Sequence, residues 1–293
     1  MRWRIMPERK GPRLFPYATK HVETASGRIA CFDEGRGPAI VFVHGLGGDF
    51  THFEHVAPAF SDRYRVIGVD MPGSGDSCKP RQRLSVRGYA TTLLDLLTTL
   101  GIKSAILVGH SAGGLVCAQA ALMAPDRVEH LVLINSAGVR HFSLALRIAA
   151  RIFMRRPIVD AILVLSAYQI LKHVFSGANE YTRKFADDNI HRPREARLRD
   201  ISKVMQDLIP DLMHATLAEN AHKLGIPTLM IYGEDDRLVP LGEVRRAAAK
   251  LKWGRLEILP GCGHMPIIEH PQAVIRLLRA FFEPGHVRLE AVP

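Results

Sequence analysis

Cysteine is scarce in this chain of 293 residues: Cys31, Cys78, Cys117 and Cys262 stand far apart, with neither C-x-x-C nor Cys/His ligand spacing among them. That argues against a disulfide framework and a structural zinc, and no metal ion is expected. Long apolar runs are missing too. Nowhere do the ~20 uninterrupted apolar residues of a membrane span occur, so no transmembrane helix is expected. The first twenty positions are rich in Arg and Pro but lack the apolar core of a secretory leader, which makes the cytoplasm the expected compartment. Tandem repeats and low-complexity tracts are absent. Basic residues are not interleaved with aromatics in any recognisable nucleic-acid-reading motif, so no nucleic-acid partner is expected.

What remains is an ordinary globular composition, 47% hydrophobic and 23% charged, in a chain long enough to bury a full core and carry an insertion. The net charge of +10 is unevenly placed. Basic residues gather in the first twenty positions and between Arg140 and Lys172, where Arg147, Arg151, Arg155 and Arg156 lie among Leu, Ile, Phe and Met. Such a mixture reads either as a solvated basic face or as a surface for weak peripheral contact with an anionic membrane.

Short apolar runs alternate with helix-period segments, the pattern of a largely parallel sheet covered on both faces. Strands are expected at Lys20–Thr24 and Arg28–Asp33 as a hairpin, then at Ala39–Val43, Tyr64–Val69, Ser104–Val108, Glu129–Ile134, Thr228–Tyr232 and Arg255–Leu259. Helices are expected around His52–Ala59, Val86–Leu100, Ala112–Ala124, Leu241–Leu251 and Gln272–Phe282. The alternation breaks between Val139 and His222, where helical patterns follow one another. This is the expected inserted cap, dividing a core of residues 1–138 and 223–293. Within it, Ile158 to Phe175 is apolar around most of its circumference, which means burial either over a cleft, the favoured reading, or against a lipid surface.

Gly109-His110-Ser111-Ala112-Gly113 lies between the apolar run Ala105–Val108 and the small-residue helical stretch Leu115–Ala124, the strand-turn-helix setting of a serine nucleophile. Gly109 and Gly113 suit a turn too tight for a Cβ, and the helix that follows aims its positive end at the same spot. A serine hydroxyl needs a base, and the base needs an orienting acid. Two downstream segments offer them, Gly233-Glu234-Asp235-Asp236-Arg237-Leu238-Val239-Pro240 and Gly261-Cys262-Gly263-His264-Met265-Pro266, each after an expected strand. All three loops then lie at the carboxyl ends of strands, where open α/β sheets place their ligands. Asp70 to Ser77 lacks the third glycine or the G-K-[ST] of a phosphate loop and reads as a structural turn.

These segments, together with Asp-Met-Pro-Gly-Ser-Gly-Asp-Ser at 70–77, resemble the α/β-hydrolase superfamily over essentially the whole chain, from His44-Gly45 to His264. The resemblance implies the α/β-hydrolase fold, with a mostly parallel central sheet, helices on both faces and an inserted helical cap. It implies Ser111 as nucleophile, His264 as general base and Asp236 as acid, with Asp235 the adjacent rival and Glu234 less suited. An acid after the preceding strand, as in some members, is not available, because Asn135-Ser136 stands there. The oxyanion donors would be the backbone N–H groups of Ala112 and Leu46, with His44, Gly45, His110, Gly109 and Gly113 in supporting roles and no cofactor.

Serine at the turn sets the chain apart from relatives that carry aspartate there and form alkyl esters, so Tyr168 and Tyr181 have no epoxide chemistry to assist. Hydrolysis of a hydrophobic carboxylic ester through an acyl-enzyme is the expected activity. Carbon–carbon cleavage of meta-cleavage diketones is the alternative. In those enzymes asparagine usually precedes the nucleophile and tryptophan soon follows the histidine, where this chain has His110 and Met265-Pro266-Ile267. A cofactor-free haloperoxidase or perhydrolase activity comes third, and a non-catalytic small-molecule receptor is the reading of another class.

Overall fold

The computed structural model describes residues 16–80, 82–154, 158, 159, 174–190, 194–214 and 217–283. Eight strands form one sheet: β1 (Lys20–Thr24), β2 (Gly27–Glu34), β3 (Ala39–Val43), β4 (Arg65–Val69), β5 (Ala105–His110), β6 (Val128–Ile134), β7 (Thr228–Gly233) and β8 (Gly254–Leu259). Their spatial order is β1-β2-β4-β3-β5-β6-β7-β8. β1 and β2 form an antiparallel hairpin, β2 joins β4 antiparallel, and every later pairing is parallel. The central strands are apolar without interruption because both faces are covered. Val41, Val43, Leu107, Leu131 and Leu133 point to one side, while Ile40, Phe42, Ile106, Val108, Val132 and Ile134 point to the other.

The first side is closed by α1 (Val86–Thr99), α2 (Ala112–Met123) and α7 (Leu241–Ala248), through Leu93, Leu97, Val116 and Val244. On the second side lie α8 (Pro266–Glu269) and α9 (Pro271–Phe282), with Ile267, Leu278 and Phe281 on the sheet beside Phe53. Each large side chain buried this way contributes about 1.5–3 kcal/mol. Helix α1 starts where the Ser85 hydroxyl accepts the Gly88 N–H and stops at Gly101, which takes a φ of 69°. Between β6 and β7 the described residues form helices only: α3 (Leu144–Phe153), α4 (Glu180–Ile190), α5 (Arg194–Leu212) and α6 (Leu217–Asn220). Most of the expected Ile158–Phe175 helix, with Tyr168, Arg155, Arg156 and the basic run of residues 1–15, lies outside the described residues. Among those described, no helix is long and apolar enough to cross a membrane.

Three expectations need correction. His52–Ala59 is not an α-helix but two 3-10 turns, Phe50–Phe53 and Ala57–Phe60. Pro58 has no N–H to continue an α-helical ladder, and the Asp49 carboxylate ties the first turn to its own start by accepting the Thr51 N–H. β5 runs on to His110, and α7 stops at Ala248. Asp70 to Ser77 is a turn folded around one carboxylate, with Asp70 Oδ1 accepting the Phe50 N–H (2.8 Å) and Oδ2 the Asp76 N–H (2.9 Å).

At the β2–β4 pairing, Phe32 stands opposite Gly68, and a Cβ at Gly68 would lie 2.0 Å from the Phe32 ring. Gly68→Ala is therefore expected to cost about 1–3 kcal/mol, measured as a lower urea midpoint. Phe32→Leu combined with Gly68→Ala should recover part of that loss.

Candidate active site

Ser111 occupies the corner between β5 and α2 with φ 53° and ψ −120°, a conformation that costs a non-glycine residue ~1–3 kcal/mol. Its surroundings hold it there. The Ser111 N–H donates to Ile134 O (2.9 Å), and its carbonyl accepts the N–H groups of Gly114 and Ala137 (3.1 and 3.0 Å). Backbone packs against both flanking glycines: a Cβ on Gly109 would meet Gly113 O at 2.4 Å, and one on Gly113 would meet Val43 O at 2.3 Å. No side chain fits at either place.

The loops after β7 and β8 converge on this corner. His264 Nδ1 lies 2.8 Å from Asp236 Oδ2, and His264 Nε2 lies 3.0 Å from Ser111 Oγ. Asp236 is buried, whereas Glu234 and Asp235 are exposed; of the three acidic residues in the segment, Asp236 is the one that meets the imidazole. Asp236 Oδ1 accepts the N–H groups of Leu238 and Val239 (2.8 and 3.1 Å). Burial pushes the Asp236 carboxyl upward, but the hydrogen bond and charge of His264 and the Asn135 amide outweigh it and hold it below its ordinary range. An ionised Asp236 keeps the proton on His264 Nδ1. The lone pair on Nε2 then faces the serine hydroxyl.

Asn135 supports this acid from the end of β6. Its side-chain amide donates to Asp236 Oδ2 and to Gly263 O, while its Oδ1 accepts the Gly233 N–H at 3.2 Å. It adopts φ 41°, a region that asparagine tolerates better than most residues. Glu269 is a second supporting residue, buried within α8. Its Oε2 accepts the Gly263 N–H (3.0 Å), the Ser176 N–H (2.8 Å) and the Ser176 hydroxyl (3.0 Å), and its Oε1 accepts the Met265 N–H (3.1 Å). One carboxylate thus holds the residues on both sides of His264 and ties them to the segment after position 173. The His264 N–H itself donates to Val174 O at 2.8 Å. Gly263 allows the approach, since a Cβ there would sit 2.7 Å from Val174 O and from Ser176 N.

The expected oxyanion loop follows β3. The Met71 N–H donates to His44 Nε2 (3.0 Å), so Nδ1 carries the proton and donates it to Gly45 O at 2.7 Å. Gly45 lies against Ser111, its missing Cβ 3.0 Å from that of Ser111. Leu46 and Ala112 line one small cavity of about 10 Å³, covered from the cap segment by Val204 and Leu208 of α5. His110 turns away from the reacting atoms, with Nε2 2.8 Å from the His264 carbonyl. Burial, then the nearby His264, pushes His110 down to about 3.

Ser111, Asp236 and His264 are thus brought together, with Leu46, Ala112, His44, Gly45 and His110 around them. Sequence reasoning passed over Asn135 and Glu269. In the sequence Asn135 marks only the absence of an acid after β6. Glu269 follows His264 by five residues, and its helical neighbour Pro266 was the one local sign of a turn that brings it back.

The family model described as the alpha/beta hydrolase fold matches residues 38–271. An uncharacterized protein of Mycobacterium tuberculosis is 31% identical over 293 residues, covering 93% of this chain and 82% of that protein. A 2-hydroxy-6-oxo-6-phenylhexa-2,4-dienoate hydrolase of Burkholderia cepacia is 27% identical over 275 residues, covering 88% and 92%. Among solved structures, a thermophilic esterase from Thermogutta terrifontis shares the fold with a TM-score of 0.74 at 24% identity, covering 89% and 97%.

In Glu269→Gln an NH₂ group must replace one of two oxygens that both accept N–H groups, so neither amide orientation satisfies the loop. Unmet donors of this kind cost ~1–3 kcal/mol. Hydrolytic turnover by this variant is expected to show kcat down ~10–100-fold with KM nearly unchanged. For His110, a folded value near 3 lies below the ordinary 6.5, so the unfolded chain binds a proton that the folded one refuses. Its contribution is complete above pH ~6.5 and shrinks as pH falls, by about 2 kcal/mol at pH 5. Urea unfolding of His110→Asn should accordingly lose less stability between pH 7 and pH 5 than the parent does.

Proposed function

The chain belongs to the alpha/beta hydrolase fold family, and within it we propose that this hydrolase cleaves a hydrophobic carboxylic ester through an acyl-enzyme on Ser111. The observation that carries the reading is the placement of His264 between Asp236 and Ser111, at 2.8 and 3.0 Å. Ser111 Oγ attacks the ester carbonyl as His264 Nε2 takes its proton, and the buried Asp236 carboxylate stabilises the imidazolium that forms. The N–H groups of Leu46 and Ala112 receive the developing oxyanion, each worth ~10²–10³ in rate. His264 returns its proton to the leaving alcohol, then activates a water that attacks the acyl carbon and frees the acid and Ser111.

The apolar part of the cavity lining supports a hydrophobic substrate. Leu46, Met71, Val116, Val204 and Leu208 face it, and about 10 Å³ holds no more than one water. In this reading α5 shifts to admit substrate, and the size of Val204 and Leu208 sets how much acyl chain is accepted. The Burkholderia cepacia relative supports a second reading, carbon–carbon cleavage of a ring-cleavage diketone.

The test is turnover of a chain-length series of p-nitrophenyl esters beside a meta-cleavage diketone. Ester hydrolysis is expected to dominate and to fall on the order of 10⁴-fold or more in Ser111→Ala. Faster turnover of the diketone would select the second reading. Ligand-induced thermal stabilisation without turnover of either substrate would mark a receptor. In Val204→Ala with Leu208→Ala the preferred ester should lengthen by several carbons.

A further inference from the structure

Helix α3 buries none of its residues. Leu144, Ile148 and Ile152, spaced i, i+4, i+8 along one face, are exposed by 70%, 51% and 49%, and Phe153 by 57%. No acidic residue occurs in α3, and Arg147 and Arg151 run along one edge of the apolar stripe. Just before the helix, exposed Arg140 lies over the Phe142 ring at 5.1 Å. At its other end, Arg151 opens with Arg83 onto a hollow of about 240 Å³ whose lining includes one carboxylate, Asp211. That carboxylate already accepts the Val86 N–H. The hollow therefore holds two guanidinium groups against one engaged acid.

We propose that α3 is a docking helix for an anionic lipid surface, its apolar stripe lying at the boundary of headgroups and acyl chains and the exposed Arg151 and Arg83 meeting lipid phosphates. Charge complementarity selects this occupant. A chain of net charge +10 meets an anionic membrane with attraction but a second copy of itself with repulsion, and an isologous pairing through α3 would set Arg151 against its own equivalents. An exposed apolar face edged by arginines has the composition of helices that lie in the membrane interface. α3 packs on α5, which carries Val204 and Leu208 over the cavity at Leu46 and Ala112. Docking would thus place the covering helix next to apolar molecules dissolved in the bilayer. This consequence rests on the esterase reading, whereas the docking itself does not.

The experiment is co-sedimentation of the full chain with vesicles of phosphatidylcholine, with and without phosphatidylglycerol, at low and high salt. The parent protein is expected to bind the phosphatidylglycerol vesicles at low salt and to lose on the order of tenfold in affinity at high salt. A variant combining Ile148→Glu and Ile152→Glu should lose at least about tenfold in vesicle binding, while keeping its melting temperature and its turnover of a soluble ester. No parent binding at low salt overturns the proposal, and so does equal binding by the variant or equal binding to phosphatidylcholine alone. A parent dimer in solution that the variant abolishes would assign the stripe to a second copy instead. Vesicle binding by a protein that turns over no ester would uphold the docking and sink the esterase reading alone.

Discussion

The hydrogen bond between the Asp236 carboxylate and His264 Nδ1 is the interaction on which the rest of the site depends. A neutral imidazole has one proton to place, and a buried anion beside Nδ1 decides where it goes. Only with that choice made does Nε2 offer a lone pair to Ser111. Four donors keep Asp236 anionic despite its burial: Asn135, His264, Leu238 and Val239. They come from three loops, after β6, β7 and β8, so the state of Asp236 reports how well those strands are aligned.

Glu269 extends the same logic outward. A buried carboxylate is costly unless its lone pairs are filled, and here they are filled by the two amides that flank His264 and by Ser176. The desolvation cost of Glu269 is thereby offset by bonds that fix the His264 loop. Because one of those partners lies in the segment between β6 and β7, the placement of that segment and of His264 are linked through a single side chain.

Packing supplies what hydrogen bonds alone could not. Ser111 stays in its strained conformation because backbone from β3 and α2 presses on both sides of it, with Gly109 and Gly113 leaving the needed space. The parallel strands behind it are buried on both faces, which makes the corner stiff and the loops at its rim the parts free to vary.

Much of this was legible in the amino-acid order. The uninterrupted apolar strands, the switch to helical periodicity and the glycines around Ser111 are local patterns, and local patterns survive in one dimension. The segments Gly233–Pro240 and Gly261–Pro266 could be singled out because each follows a strand whose carboxyl end must lie at the same rim. Tertiary structure alone decided the rest. That Asp236 and not Asp235 meets the imidazole depends on which side of one loop is buried, and the support from Asn135 and Glu269 depends on contacts across 101 and 93 positions. Pro58 and the Asp49 carboxylate turned an expected helix into two short turns. Periodicity records which face of an element is apolar. It carries no record of which distant backbone amide will need a partner once the faces have met.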